Sequence, residues 1–260
     1  MTGRPHPDLE VVDDGGVRIL VLDRPDARNA MTLAMREALI DAVAAADADA
    51  DVTAIVLTAT DPVFTAGVDF KERIPGDRRP VDWTLRADPA AALRAAITPS
   101  ICAVNGACVS GGLELALSAT FVVASDRARF ADTHARLNVV PGWGLTALLP
   151  RTVGLRKARE MSITGNFVEA DEALRIGLVN HVVPHAELLP RAVALARDVA
   201  TTPAVREVLR LYRRGEGVSL ADALALERDW TAHRVHDRDA FRALGEETAR
   251  RGRPDGAAAP

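Results

Sequence analysis

Short apolar runs and helix-like stretches alternate along the first half of the chain. Four runs are rich in β-branched side chains and predict buried strands; they lie at residues 17–22, 54–57, 101–104 and 120–125. Between the first two runs, Met35, Leu39 and Val43 recur every four residues, which predicts a helix, and a second helix is predicted around residues 111–118. This alternation predicts a sheet covered by helices, the α/β class.

The strand pattern almost disappears after Pro150. Amphipathic stretches there predict helices at residues 155–163, 187–200, 203–213, 219–235 and 239–249. Their apolar faces need a surface to cover, either the chain's own sheet or another copy of the chain. We therefore predict an α/β core over residues 1–198 and a C-terminal helical oligomerisation region over residues 199–260.

Composition describes an ordinary globular protein and excludes several classes. The chain has 260 residues, 48% of them hydrophobic, and at this length a chain buries ~70% of its unfolded surface without a disulfide or a structural metal. The net charge of -4 argues against a nucleic-acid partner. No apolar run approaches the roughly 20 residues of a membrane span, and the first residues lack the apolar core of a signal peptide. These features predict a cytoplasmic location and no membrane partner.

Two cysteines, Cys102 and Cys108, stand six positions apart. This is neither a CxxC redox pair nor half of a zinc site, so both are predicted to be small buried hydrophobes. The histidines His6, His181, His185, His233 and His236 show no metal-ligand arrangement either, and we predict that they lie on the surface. The sequence thus predicts no metal site.

The first segment with chemical potential is AVNGACVSGGLELA at residues 103–116. A strand runs into a Gly-rich turn, and a helix begins near Gly111 and Gly112, so unpaired backbone N–H groups and the positive end of a helix dipole face one spot that suits an anion. Glu114 projects from the first helical turn nearby. The alternative is a tight turn with a carboxylate near a helix N-terminus, where acidic residues are favoured anyway.

A second segment, FTAGVDF at residues 64–70, follows the strand that ends at Leu57. Loops beyond the carboxyl ends of parallel strands are where α/β proteins place their sites. Two such loops that each aim one backbone N–H at the same point would form an oxyanion hole, with about 3 kcal/mol of transition-state stabilisation per donor. Taken singly, each loop is ordinary.

Together the segments resemble the enoyl-CoA hydratase/isomerase (crotonase) superfamily over nearly the whole chain. Four motifs follow the order of that family: DRPDARNAM at 23–31, FTAGVDFKE at 64–72, AVNGACVSGGLELA at 103–116 and ARFADTHARLNVVPGWGLTALLPRTVG at 128–154. The resemblance implies a crotonase-like spiral of ββα units followed by a C-terminal helical region. It also implies a homotrimer or a hexamer built as a dimer of trimers, with an acyl-CoA thioester as substrate. Coenzyme A enters as part of that substrate, and no separate cofactor is expected.

The same resemblance assigns roles to four positions. Val68 and Gly111 match the residues whose backbone N–H groups hold the thioester oxygen, and Glu114 matches the first acid/base carboxylate. The family's second glutamate falls in an F-G-x-P-E pattern that here reads FADTH, so His134 stands in its place. Either His134 shares the proton transfers with Glu114, or it is an inert histidine and Glu114 works alone. Asp132, two residues earlier, is not assigned as the partner that orients His134.

The resemblance also implies a set of residues that bind the substrate or its CoA portion: Arg24, Arg28, Ala30, Ala66, Gly67, Gly112 and Trp143. Arg24 and Arg28 lie in the motif that borders the adenine and phosphate end in the family, although loop arginines are often simply solvated. Val68 stands where the family commonly has alanine, and its extra bulk is expected to narrow the acyl channel.

The predicted reaction is the addition of water across the 2,3 double bond of an acyl-CoA thioester. Hydration needs one group that takes a proton from water and one that gives a proton to C2, each contributing roughly 10²- to 10⁴-fold. Glu114 and a protonated His134 together fit this division. The alternatives are another reaction of the superfamily (double-bond isomerisation, thioester hydrolysis or decarboxylation) and a non-catalytic acyl-CoA-binding protein.

Overall fold

The computed structural model describes residues 2–72, 85–234 and 238–251. The chain divides into two compact units, Met1–Glu207 and Val208–Pro260. The unit boundary therefore lies later than the boundary after residue 198 that the sequence predicts. All residues predicted to form the site belong to the first unit.

The first unit is a mixed α/β structure. Its strands are β1 (Gly3–His6), β2 (Leu9–Asp14), β3 (Val17–Leu22), β4 (Ala54–Ala59), β5 (Val63–Thr65), β6 (Ser100–Val104), β7 (Ala107–Val109), β8 (Phe121–Ser125), β9 (Arg129–Ala131), β10 (Val168–Glu169) and β11 (His181–Val183). The α-helices in the described residues are α1 (Leu33–Ala48), α2 (Pro89–Ala95), α3 (Gly111–Ser118), α4 (Leu145–Val153), α5 (Leu155–Thr164), α6 (Ala170–Arg175), α7 (Leu188–Arg197), α8 (Ala204–Gly215), α9 (Leu220–Ala232) and α10 (Arg238–Arg251).

The strands form two sheets. The larger has the order β1-β2-β3-β4-β6-β8-β11 and is parallel from β3 onward, whereas the smaller has the order β10-β9-β7-β5. Three times the chain leaves the large sheet and at once adds a short strand to the small one: β4 is followed by β5, β6 by β7 and β8 by β9. This repetition is the predicted spiral of ββα units. The sequence did not reveal β5, β7 and β9 because three residues are too few to show a period of two.

Both faces of the large sheet are buried. In β4, Ile55 and Leu57 face the main core, whereas Ala54 and Val56 face a second cluster that includes Leu188 from α7. Successive side chains of a strand point to opposite faces, so a strand covered on both sides must be apolar throughout. This explains why the predicted strands are continuous apolar runs.

The two cysteines lie in the main core, as predicted. Cys102 and Cys108 are fully buried, and both are free thiols. Burial raises the pKa of Cys102 to about 12 and that of Cys108 well above its usual value, so both remain protonated and unreactive near neutral pH.

The second unit is helical, as predicted for the C-terminal region. Ser219 caps α9 by accepting a hydrogen bond from the backbone N–H of Asp222. An apolar groove between α8 and α9 is lined by side chains that include Leu211, Tyr212 and Leu224. Its role in oligomerisation stays a prediction. Within the described residues, no helix combines the length and apolar character that crossing a bilayer requires.

Candidate active site

Two early segments of the chain are held edge to edge beside the sheets. Met31 donates its N–H to the carbonyl of Gly67 at 2.8 Å, and Asp69 donates to the carbonyl of Met31 at 3.0 Å. Ala66 donates to the carbonyl of Arg28 at 3.1 Å. The first and second motifs of the sequence therefore form one continuous backbone surface.

Asn29 stabilises this surface through buried hydrogen bonds. Its side chain is fully buried and donates hydrogen bonds to the carbonyls of Thr60 at 2.7 Å and Val63 at 2.6 Å. Its own carbonyl accepts from the Thr65 hydroxyl at 2.6 Å, and Arg24 donates its N–H to the Asn29 side-chain oxygen. Sequence reasoning did not single out Asn29. Its buried contacts join residues up to 36 positions away in sequence, so they depend on the tertiary structure.

Val68 and Gly111, the two predicted oxyanion donors, stand in neighbouring segments. A Cβ placed on Gly67 would lie 3.0 Å from the nitrogen of Gly111, and one placed on Gly111 would lie 3.3 Å from the Cα of Gly67. Within the described part of the chain, neither the N–H of Val68 nor that of Gly111 donates a hydrogen bond. The structure thus brings together two backbone N–H groups that donate no hydrogen bond to the described residues. Their role as an oxyanion hole stays a prediction.

The turn before α3 is strained and firmly held. Ser110 has φ 49° and ψ -104°, a conformation that non-glycine residues rarely adopt. Its N–H donates to the carbonyl of Ala131, and its hydroxyl accepts a hydrogen bond from the N–H of Thr133. No side-chain cap covers the first amides of α3.

Glu114 lies on α3, where the sequence predicts it, and its carboxylate accepts hydrogen bonds that the sequence did not predict. The side chain is only 2% exposed, and one carboxylate oxygen accepts from the N–H of Trp143 at 2.7 Å and from that of Leu145 at 3.3 Å. It therefore caps α4 as well as standing on α3. Burial raises the pKa of Glu114, and these amides together with His134 only partly offset that effect.

His134 lies beside Glu114, with its Nε2 3.9 Å from the second carboxylate oxygen of Glu114. The structure corrects the prediction for Asp132. The ring Nδ1 of His134 is 2.6 Å from a carboxylate oxygen of Asp132, so Asp132 is the orienting partner. The prediction was wrong, because residues two apart lie on the same face even of an extended segment. In the structure His134 has helical φ and ψ, and its N–H donates to the Asp132 side chain.

The remaining predicted residues surround these groups in two places. Trp143 is buried and its indole lies over Gly111. The main chain of Trp143 accepts from Arg94 at 2.7 Å, a contact that sequence analysis missed. Gly112 packs on Thr65, since a Cβ there would lie 2.7 Å from the Thr65 methyl carbon. Ala30 and Ala66 lie on the surface formed by the first two motifs.

The two arginines of the first motif differ in their environment. Arg24 donates to a carboxylate oxygen of Asp69 at 2.7 Å and to the carbonyl of Ala30 at 2.9 Å, so it holds the site together. Arg28 is exposed in the left-handed region, with φ 56°. It makes no side-chain bond with other residues that the structure describes, and it is therefore the better of the two candidates for binding the phosphates of CoA.

Of the four other histidines that the structure describes, His233 is exposed as predicted, whereas His6, His181 and His185 are half-buried. The ring of His185 bonds to Ser125 at 3.0 Å and to Asp61 at 2.9 Å. Among the described residues no group of His, Cys, Asp and Glu side chains could hold a metal ion. His236 lies outside the described residues.

The buried carboxylate of Glu114 should lower the stability of the protein at neutral pH. Because its folded-state pKa is raised above the unfolded value, ionisation costs nothing below the unfolded pKa and costs most above the folded one. Glu114→Gln keeps an oxygen for the two amides but removes the charge. We expect this variant to have a higher Tm than the wild type at pH 7 to 8, by a few degrees, with the gain shrinking as the pH falls toward 4.5.

Thermal unfolding followed by circular dichroism across that pH range checks this expectation. Glu172→Gln is a suitable control, because hydrogen bonding to Lys157 lowers the pKa of this carboxyl, and the predicted trend is the opposite. A Glu114→Gln variant that is less stable than the wild type at pH 8 would contradict the analysis.

Comparison with known proteins agrees with this geometry. Residues 13–244 match the sequence profile of the enoyl-CoA hydratase/isomerase family. The chain is 34% identical to a probable peroxisomal enoyl-CoA hydratase of Arabidopsis thaliana over 92% of both chains. The crystal structure of an enoyl-CoA hydratase from Mycobacterium tuberculosis superposes with a TM-score of 0.72 at 43% identity, covering 85% of this chain and 95% of the other. One from Geobacillus kaustophilus gives 0.84 at 32% identity, covering 93% and 95%. The chain therefore belongs to the enoyl-CoA hydratase/isomerase family.

Proposed function

We propose that the protein is an enoyl-CoA hydratase, which adds water across the 2,3 double bond of an acyl-CoA thioester. The observation that carries this proposal is the juxtaposition of a buried carboxylate, Glu114, with an imidazole, His134, at 3.9 Å. The backbone N–H groups of Val68 and Gly111, which donate no hydrogen bond to the described residues, belong to the same proposed site. Relatives named enoyl-CoA hydratase at 34–37% identity over most of the chain support the same reaction.

The two amides would polarise the thioester carbonyl. As water adds at C3, negative charge builds on the thioester oxygen, and donors already fixed by the protein stabilise it without having to reorganise. The N–H of Gly111 also stands at the positive end of α3, which favours an anion. Side-chain identity at position 68 affects this role only through its size.

Glu114 would act as the base toward water. Its raised pKa makes the ionised carboxylate a stronger proton acceptor than an exposed glutamate. His134 would supply a proton to C2. The 3.9 Å distance is too long for a direct hydrogen bond, so the two groups do not simply neutralise each other, and a reacting molecule can contact both.

Further features of the proposal concern the protein as a whole. The reaction takes coenzyme A as part of the substrate and requires no additional cofactor. The apolar groove on α8 and α9 supports assembly as a homotrimer or a hexamer, and the bacterial relatives support a cytoplasmic location.

Turnover of crotonyl-CoA tests the proposal directly. The wild-type protein is expected to cause loss of the conjugated thioester absorbance, and Glu114→Gln is expected to reduce kcat by 10³-fold or more, because the amide cannot accept a proton. CoA thioester binding, measured by calorimetry, should change less than tenfold. Absence of turnover with both short and long 2-enoyl-CoA substrates, while they bind, would overturn the hydratase proposal in favour of isomerisation, hydrolysis or decarboxylation.

A second substitution tests the amide pair without touching a charged group. In Gly112→Ala, the new Cβ would lie 2.7 Å from the methyl carbon and 3.0 Å from the carbonyl oxygen of Thr65, so α3 must move relative to the segment that carries Val68. A displacement on the order of 1 Å can cost ~10²-fold. We expect kcat/KM for crotonyl-CoA to fall by about that factor, with a near-native circular dichroism spectrum.

Two comparisons make this test specific. Gly142→Ala places its Cβ against only the flexible end of Leu85, so it should cost less than about threefold. Adding Thr65→Ser to Gly112→Ala removes the methyl group but keeps the hydroxyl that bonds to Asn29, and should restore part of the activity. Equal losses in Gly112→Ala and Gly142→Ala would count against the amide pair.

A further inference from the structure

Asp132 and His134 form a closed and buried pair at the end of β9. Asp132 is 1% exposed and His134 8% exposed. One carboxylate oxygen of Asp132 accepts from the backbone N–H of His134 at 3.1 Å and lies 2.6 Å from its ring Nδ1. Although burial opposes ionisation, hydrogen bonds from His134 and from Ser162 on α5 lower the pKa of Asp132 below its usual value. The carboxylate is therefore ionised and fixed in place.

This arrangement determines which ring nitrogen of His134 carries the proton. An ionised carboxylate can only accept hydrogen bonds, so Nδ1 must carry a hydrogen toward Asp132. The other nitrogen, Nε2, is then the one that faces Glu114. It is the atom that can gain or lose a proton during a reaction.

The charged groups around His134 are few. Asp132 comes from its own segment and Glu114 from α3. On the short 3-10 helix that follows, Arg136 is exposed and directed at Thr164 and Asn166. The charged residues of α5 are exposed or engaged with each other and with Glu172: Arg156, Lys157, Arg159 and Glu160. Hence the two carboxylates dominate the field at the ring.

The net charge of the site indicates what the Asp132 carboxylate contributes. Two glutamates that share one proton, the arrangement expected from the family pattern, carry a net charge of -1. If a histidine alone replaced the second glutamate, the site with Glu114 ionised and His134 protonated would be neutral. The ionised Asp132 carboxylate adds one negative charge, so the net charge of this state is again -1.

We propose that Asp132 is a positioning residue that acts through His134, so that the Asp132–His134 pair replaces the second carboxylic acid of the family as the proton donor. This inference rests on the proposed hydratase function. The oxygen of water forms a bond to C3, and the proton it loses goes to Glu114. The Nε2–H bond breaks as its proton goes to C2, where the former π electrons form the new C–H bond. Exchange with solvent then removes the proton from Glu114 and reloads His134.

Asp132→Asn tests the proposal, because asparagine retains an oxygen that can accept from Nδ1 but removes the charge. We expect kcat for crotonyl-CoA hydration to fall roughly 10- to 100-fold, as for other residues that orient a catalytic ligand or base. KM should change less than about threefold.

The chain contains a matched control. Asp61 bonds to the ring of His185 at 2.9 Å, and among the described residues its other side-chain hydrogen bond is to Asn105, so it is an aspartate–histidine pair without a site residue. Asp61→Asn should leave kcat unchanged. Equal losses of kcat in Asp132→Asn and Asp61→Asn would overturn the proposal.

A double-mutant cycle separates action through the ring from a merely structural role. In a His134→Gln background, Asp132 has no imidazole on which to act, so Asp132→Asn should lower kcat by much less than it does in the wild type. Losses that add independently in the two backgrounds would overturn the proposal. Circular dichroism of all four proteins identifies any that fail to fold.

A measurement independent of turnover distinguishes failure of this inference from failure of the hydratase proposal. Nitrogen NMR of the full chain with labelled histidine, recorded where His134 is neutral, should show its hydrogen on Nδ1. Hydrogen on Nε2 would overturn the inference even in an active hydratase. An Nδ1–H ring in a protein without hydratase activity would overturn the proposed function, and with it the donor role, while leaving the positioning by Asp132 intact.

Discussion

The close approach of two backbone segments, at Gly67 and at Gly111, is the constraint on which the rest of the site depends. A single Cβ at either position would meet the other segment or the Trp143 ring at 3.0 to 3.3 Å. The approach is possible only because β5 and β7 are parallel neighbours in the small sheet, each placed there directly after a strand of the large sheet. The spiral of ββα units therefore serves to bring two loop amides side by side.

The polar groups behind this contact are buried, and each is held by several partners. Asn29 supports the first two motifs with bonds to Thr60 and Val63, and Glu114 ties α3 to the start of α4. A buried polar group that is fully hydrogen-bonded rigidifies its surroundings, whereas an ionised carboxylate in the same place costs stability. The site thus keeps Glu114 at some expense of folding free energy, as is common for groups that need a shifted pKa.

The region around His134 pairs buried polar groups of one short segment. A buried charge must be paired or hydrogen-bonded, and the buried Asp132 carboxylate lies 2.6 Å from the His134 ring. It also accepts a hydrogen bond from the backbone N–H of His134, and Ser162 on α5 contributes a further hydrogen bond. The two residues are two positions apart, so their side chains can share one face, but only the structure shows that they are in contact.

Local signals in the sequence were sufficient to predict the α/β class, the main strands and helices, the buried cysteines and the positions of Glu114 and His134. Continuous apolar runs, helical spacing and ordered motifs can be recognised without knowledge of the fold. The short strands β5, β7 and β9, the support by Asn29 and the partnership of Asp132 with His134 became visible in the folded structure. They depend on backbone turns and on hydrogen bonds between segments, and such contacts produce no periodic pattern in a sequence.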